Sequence, residues 1–65
     1  MKTLEMLREL GYGASEVATF QRHYNRMGTD PVLVSGELDQ ETVEAVAFAY
    51  RSRHVFTALR DRKKG

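Results

Sequence analysis

Four carboxylates, Glu37, Asp39, Glu41 and Glu44, fall within one short stretch of this chain. Pairs of this kind can divide acid and base work when one partner is kept protonated. That division needs an apolar pocket to raise one of the two pKa values, and the sequence offers none around these four. They stand instead at the start of an apolar-periodic segment, where the helix dipole favours acids without any catalysis. The two histidines, His23 and His54, lie far apart. A metal site built on either would need further ligands and a supporting outer shell. There is no cysteine, hence no thiolate nucleophile, disulfide or thiolate metal site. The HExxH, P-loop and GxSxG patterns are also missing. The expectation is a protein that is not an enzyme and that uses no metal and no cofactor.

Length and charge narrow the remaining classes. Sixty-five residues make a single domain that buries roughly 60% of its unfolded surface, so its stability margin is small. No run approaches the ~18 apolar residues of a membrane span. Glu5, Arg8 and Glu9 occupy the region where a signal peptide would carry its apolar stretch,. The chain is therefore expected to be cytoplasmic as encoded. The net charge is +1, but it is unevenly spread: residues 30–49 hold five acids and no base, and residues 51–65 hold six bases and one acid. A helix-turn-helix reader of nucleic acid would place the N-terminal half of its third helix in the groove, and here that half is acidic. Nucleic acid is not the expected partner. The charge order suits helix dipoles and could also serve electrostatic docking.

The elements that must position these residues follow from periodicity. Leu4, Leu7 and Leu10, with Met6, give a first helix over 3–10, with Thr3 as its cap and Gly11 as its left-handed end. Ser15 is expected to cap a second helix whose apolar face is Val17, Phe20, Tyr24 and Met27, with Gly28 ending it. Pro31 enforces an extended connection. Within it, the trio Val32–Val34 should drop one or two side chains into the core. Gly36 permits a turn, and Asp39 can cap the N–H groups of Glu41 and Thr42. A third helix then presents Val43, Val46, Ala47 and Tyr50, with small Ala45, Ala47 and Ala49 permitting close approach. Val55, Phe56, Ala58 and Leu59 continue the spacing, as an extension of that helix or as a short fourth one. The predicted fold is all-α: a compact three-helix bundle with an extended loop between helices two and three and a helical C-terminal extension. The domain is expected to cover 1–59, followed by a basic tail at 60–65.

Three motifs in these elements, "LRELGYG", "VATFQRHYN" and "VSGELDQETVEAV", together resemble the peptidoglycan-binding-like domain family of bacterial and phage wall hydrolases. The matching positions are Leu10, Gly11 and Tyr12; Phe20 and Gln21; and Gly36, Leu38 and Thr42. The resemblance spans roughly residues 3–50 and implies a small helical module that binds cell-wall peptidoglycan, either its glycan or its stem peptide. It implies a ligand groove between helices two and three with contacts from Tyr12, Gln21, Tyr24, Asn25, Asp39 and Gln40, while Arg22 and Arg26 pair with stem-peptide carboxylates. On that reading Tyr24→Ala and Asn25→Ala weaken wall binding and leave the thermal midpoint nearly unchanged. Wall contact would come only after lysis or within a phage particle, pointing to a phage or prophage context. The alternative is a stand-alone helical adaptor or inhibitor. It would dock a host protein partner, or a second copy as a homodimer, through Val55, Phe56, Leu59 and Arg60.

Overall fold

The computed structural model describes residues 2–27 and 30–61. The described chain is all-helical: α1 (Thr3–Glu9), a short 3-10 turn (Ala14–Glu16), α2 (Val17–Arg26), α3 (Gln40–Arg51) and α4 (Arg53–Asp61). Among the described residues no helix is long and apolar enough to cross a membrane.

Helix α1 starts one residue earlier than its threonine suggests. The Lys2 N–H donates to Glu5 Oε1 at 3.3 Å, so Thr3 is already helical and is not the cap. Its end is closed by two backbone bonds, Gly11 N–H to Arg8 O at 2.9 Å and Tyr12 N–H to Leu7 O at 3.1 Å. This is the Schellman arrangement, and it needs the left-handed Gly11, at φ +99°. The Leu-Gly-Tyr motif is thus a helix stop that swings Tyr12 back onto Leu7, where both are buried. Leu7 and Leu10 face the core, whereas Leu4 is 42% exposed.

The start of α2 differs from the expectation that Ser15 caps it. The segment enters through the 3-10 turn, and the Gly13 N–H donates to Glu16 Oε1 at 2.7 Å. Glu16 bends back and satisfies the backbone group that a serine cap would have left to water. The Gly28 stop expected from the sequence lies outside the described residues.

In α3 the buried stripe is Thr42, Ala45, Val46 and Ala49, not Val43, Val46, Ala47 and Tyr50. Three of the four are small, and close approach of the helices explains the rotation: bulky Val43 and Tyr50 are left only half-buried. Asp39 caps the helix as expected, although only the Thr42 N–H is bound, at 3.2 Å to Oδ1.

Helix α4 follows α3 after a break at Ser52 (φ −110°, ψ 31°). Backbone bonds run through the break, from Ser52 N–H to Phe48 O at 3.1 Å and from Phe56 N–H to Ser52 O at 2.8 Å. The break is therefore a bend, and side-chain periodicity carries across it. Phe56 is 5% exposed and sets its ring 5.8 Å from Phe20 and 6.5 Å from Tyr12. With Phe20 and Tyr24 at 5.7 Å and Tyr12 edge-on to Phe20 at 5.5 Å, four rings join the helices into one core. Residues 60–65 were expected as a tail, but Arg60 and Asp61 are helical. Residues 62–65 lie outside the described part.

Candidate functional site

Gln21, Gly36 and Thr42 converge on the loop over 30–39. Gln21 is fully buried. Its Nε2 donates to Thr42 Oγ1 at 2.7 Å and lies 3.3 Å from both Ser35 Oγ and Glu37 O. Its Oε1 accepts the Gly36 N–H at 2.9 Å. Gly36 makes this approach possible by adopting φ +80°, a conformation costly for residues with a Cβ. Ser35 extends the network by donating to Asp39 Oδ2 at 3.1 Å. Asp39 therefore accepts from the loop and from the helix start together. These bonds favour its ionised form and hold its pKa below the usual carboxylate range, with the Thr42 contacts the main cause,.

One helical turn on, Asn25 holds the upstream half of the loop. Its Nδ2 donates to Val32 O at 2.8 Å, and its Oδ1 accepts the Val32 N–H at 2.8 Å. An amide side chain thus pairs with a backbone residue as a neighbouring strand would. Val32 and Leu38 pack against the core, and Leu33 and Val34 remain exposed.

A third polar cluster closes the far side. The Tyr12 hydroxyl is 2.6 Å from His23 Nδ1, and Tyr12 is 4% exposed. Burial raises the Tyr12 pKa, with the nearby Arg60 cation acting against the rise. Arg60 Nη1 donates to Leu10 O at 2.7 Å. This satisfies a carbonyl at the C-terminal, negative end of α1 with a cation.

The expected ligand contacts are placed unevenly. Gln21 presents no surface, and Tyr12 and Tyr24 are 4% and 8% exposed. Both polar ends of the Asn25 amide are committed to Val32. Tyr24 nonetheless borders both concavities of the face described next. Of the other candidates, Arg22, Arg26, Asp39 and Gln40 are exposed; Gln40 Nε2 donates to Glu44 Oε2 at 2.9 Å. In the alternative set, Phe56 belongs to the core, and Arg60 is half-buried with its guanidinium on Leu10 O. Val55 and Leu59 are open, at 59% and 39% exposure.

Two adjoining concavities lie on the face where these elements meet. One, about 400 Å³, runs between the end of α2, the loop and α3, and is lined by Tyr24, Asp30, Val32, Glu41, Glu44 and Phe48 among others. The second, about 260 Å³, lies between the ends of α2 and α3 and helix α4. Its lining includes Met27, Phe48, Ser52, Val55 and Leu59, and its walls are largely apolar. Tyr24 and Phe48 border both. Phe48, 45% exposed, was not picked out from the sequence. The signal for it was present: it is a large ring four residues after Glu44, lying outside the small-residue stripe of α3. Among the described residues no group of three or more His, Cys, Asp or Glu side chains could hold a metal ion. No protein-family model, curated protein or solved structure matches this chain.

Proposed function

We propose that this chain is a non-catalytic binding module for bacterial cell-wall peptidoglycan, reached after lysis or from within a phage particle, and that its ligand surface is the groove between α2, the loop and α3. The observation that carries this reading is the pairing of an exposed aromatic face, Phe48, with three carboxylates, Asp30, Glu41 and Glu44, in one open groove. Sugar rings stack on aromatic faces through their C–H surfaces, while carboxylates accept from hydroxyl, amide and ammonium groups. Glycan and stem peptide present all of these. The motif resemblance supports the reading through the scaffold. Gln21, Gly36 and Thr42 build the loop that forms one wall of the groove, rather than touching ligand themselves. A three-helix core with α4 as a C-terminal addition is the corresponding description of the fold.

The test is retention on purified, insoluble sacculi at low and at moderate salt. Phe48→Ala and Glu44→Gln are expected to lower retention at least about fivefold, roughly 1 kcal/mol, without loss of helicity. Retention that disappears at moderate salt for every variant alike would reduce the interaction to general charge attraction and overturn the reading.

A second reading, a protein partner seated in the apolar groove, is favoured by the exposure of Val55 and Leu59 beside Met27 and Phe48. Deletion of 55–65 does not separate the two readings, because it removes Phe56 from the core and Arg60 from α1. Val55→Glu does: wall retention survives it, whereas apolar docking does not.

A further inference from the structure

The groove between α2, the loop and α3 carries charge of one sign. Asp30 borders it from the loop, and Glu41 and Glu44 from α3, with Phe48 one turn further along the same face,. Among the described residues its lining holds no lysine, arginine or histidine. Arg22 and Arg26 are exposed on α2 but do not border it. Among the described residues none of the three carboxylates is paired with a cation; the ion pair there joins Arg60 to Asp61. Two of them are engaged by neutral donors, Glu41 Oε1 by the Leu33 N–H at 3.3 Å and Glu44 Oε2 by Gln40 Nε2 at 2.9 Å. The other oxygen of each stays open to a ligand.

Stem peptides bring both signs of charge to such a groove. Their carboxylates would meet only carboxylates there, and like charges set against each other cost affinity. An ammonium answers the groove instead, through charge-assisted hydrogen bonds to the open oxygens. The exposed face of Phe48 adds to this, because an aromatic quadrupole attracts a cation placed over it. We propose, on the basis of the wall reading, that this groove recognises the free side-chain ammonium of the diamino acid in a stem peptide that is not cross-linked. Glu41 and Glu44 are its acceptors, Asp30 adds negative charge from the loop, and Phe48 packs along the methylenes that carry the amine. A wall cross-link acylates this amine, so an ammonium with three donors becomes a neutral amide with one. The module therefore distinguishes open wall from cross-linked wall by charge.

The probes are the lysine-type stem tripeptide, alanyl-γ-glutamyl-lysine, whose side-chain amine has no carboxylate on the same carbon, and its Nε-acetyl form. Isothermal titration of the full chain at moderate salt is expected to give the free-amine form at least about tenfold tighter binding. Glu44→Gln should cut that preference at least about threefold, with far-UV circular dichroism unchanged. Nα-acetyl-lysine amide has the same ammonium without the rest of the stem, and it should compete at least about tenfold less well than the tripeptide. On sacculi, acetylation of the free amines with acetic anhydride should lower retention at least about fivefold at moderate salt. Equal affinity for the two tripeptides overturns the proposal, and so does binding of neither by a chain that sacculi retain. In both cases retention on untreated sacculi keeps the wall reading. Equal competition by the lysine amide also overturns it, reducing the groove to a general trap for cations. A chain that untreated sacculi do not retain removes the wall reading and this inference together.

Discussion

Replacing Gln21 with methionine keeps the length and approximate volume of the side chain and removes both its donor and its acceptor. The Thr42 hydroxyl, fully buried, then loses the partner now at 2.7 Å. The Gly36 N–H loses the one at 2.9 Å, although Gly36 is exposed and water can replace it. The remaining net hydrogen bond, to Thr42, is worth about 1 kcal/mol, and an unpartnered buried hydroxyl costs about 1–3 kcal/mol more. The expected loss is therefore about 2–4 kcal/mol. A domain of this size has a total stability of about 3–10 kcal/mol, so the variant is left with a small margin or none. Its thermal midpoint should fall by roughly 10–25 °C. Urea unfolding followed by far-UV circular dichroism gives the value directly, with an unchanged m-value showing that the unfolded reference is the same. The companion variant Thr42→Val removes the other partner of the bond. In the Gln21→Met, Thr42→Val pair no hydroxyl is stranded, so the losses should fall short of additive by more than about 1 kcal/mol. A Gln21→Met loss below about 1 kcal/mol, or full additivity in the cycle, would refute the assignment of this amide as the latch of the loop.

Three further outcomes follow from other residues. Asn25→Ala, read from the sequence as a pure binding change, should instead lower stability by about 1–3 kcal/mol, because it releases both sides of Val32; calorimetry in the absence of ligand decides this. Arg60→Met keeps an apolar stem but removes the guanidinium that lies over the Tyr12 and Phe56 rings and leaves Leu10 O uncapped. It should cost about 1–2 kcal/mol, seen as a lower urea midpoint. Asp39 has a depressed pKa in the folded chain, so its stabilising contribution is complete above the ordinary carboxylate value near ~4 and is lost as pH falls through the lower folded value. Thermal midpoints measured across that acid range should therefore fall for wild type and fall less for Asp39→Asn, which can still accept the Thr42 N–H.

How far the sequence alone reaches can be judged residue by residue. Helix positions, the all-α class and the Asp39 cap follow from local spacing and turn chemistry, and these are local properties. The buried stripe of α3 was misplaced for a reason that is not local. Ranking by hydrophobicity favours Val43 and Tyr50, yet inter-helix distance selects Thr42, Ala45 and Ala49. The same holds for the polar residues. Gln21 and Asn25 have the chemistry of ligand contacts, and their four-residue spacing does place them on one side. That side proves to be the one facing the loop. A sequence pattern cannot distinguish an amide that meets a ligand from one that meets its own backbone. The difference is set by where residues 30–39 fold back, and Pro31 and Gly36 constrain that path without fixing its destination. Phe48 escaped notice because one exposed aromatic in a helix is unremarkable until the groove on either side of it is seen.

The bond from Arg60 to Leu10 O ties residues fifty positions apart. Neither α1, with seven residues, nor α4, with nine, is long enough to persist alone in water. Each therefore depends on tertiary packing, and because the guanidinium bond joins them their opening should be coupled rather than two independent frayings. In native-state hydrogen exchange the late amides of α1, including those of Leu10 and Tyr12, should share one opening free energy with those of α4 around Phe56, apart from the slower class in α2 and α3. Weakening the guanidinium contact would then speed exchange at both places by the same factor. The two extremities of the described chain would behave as one clasp.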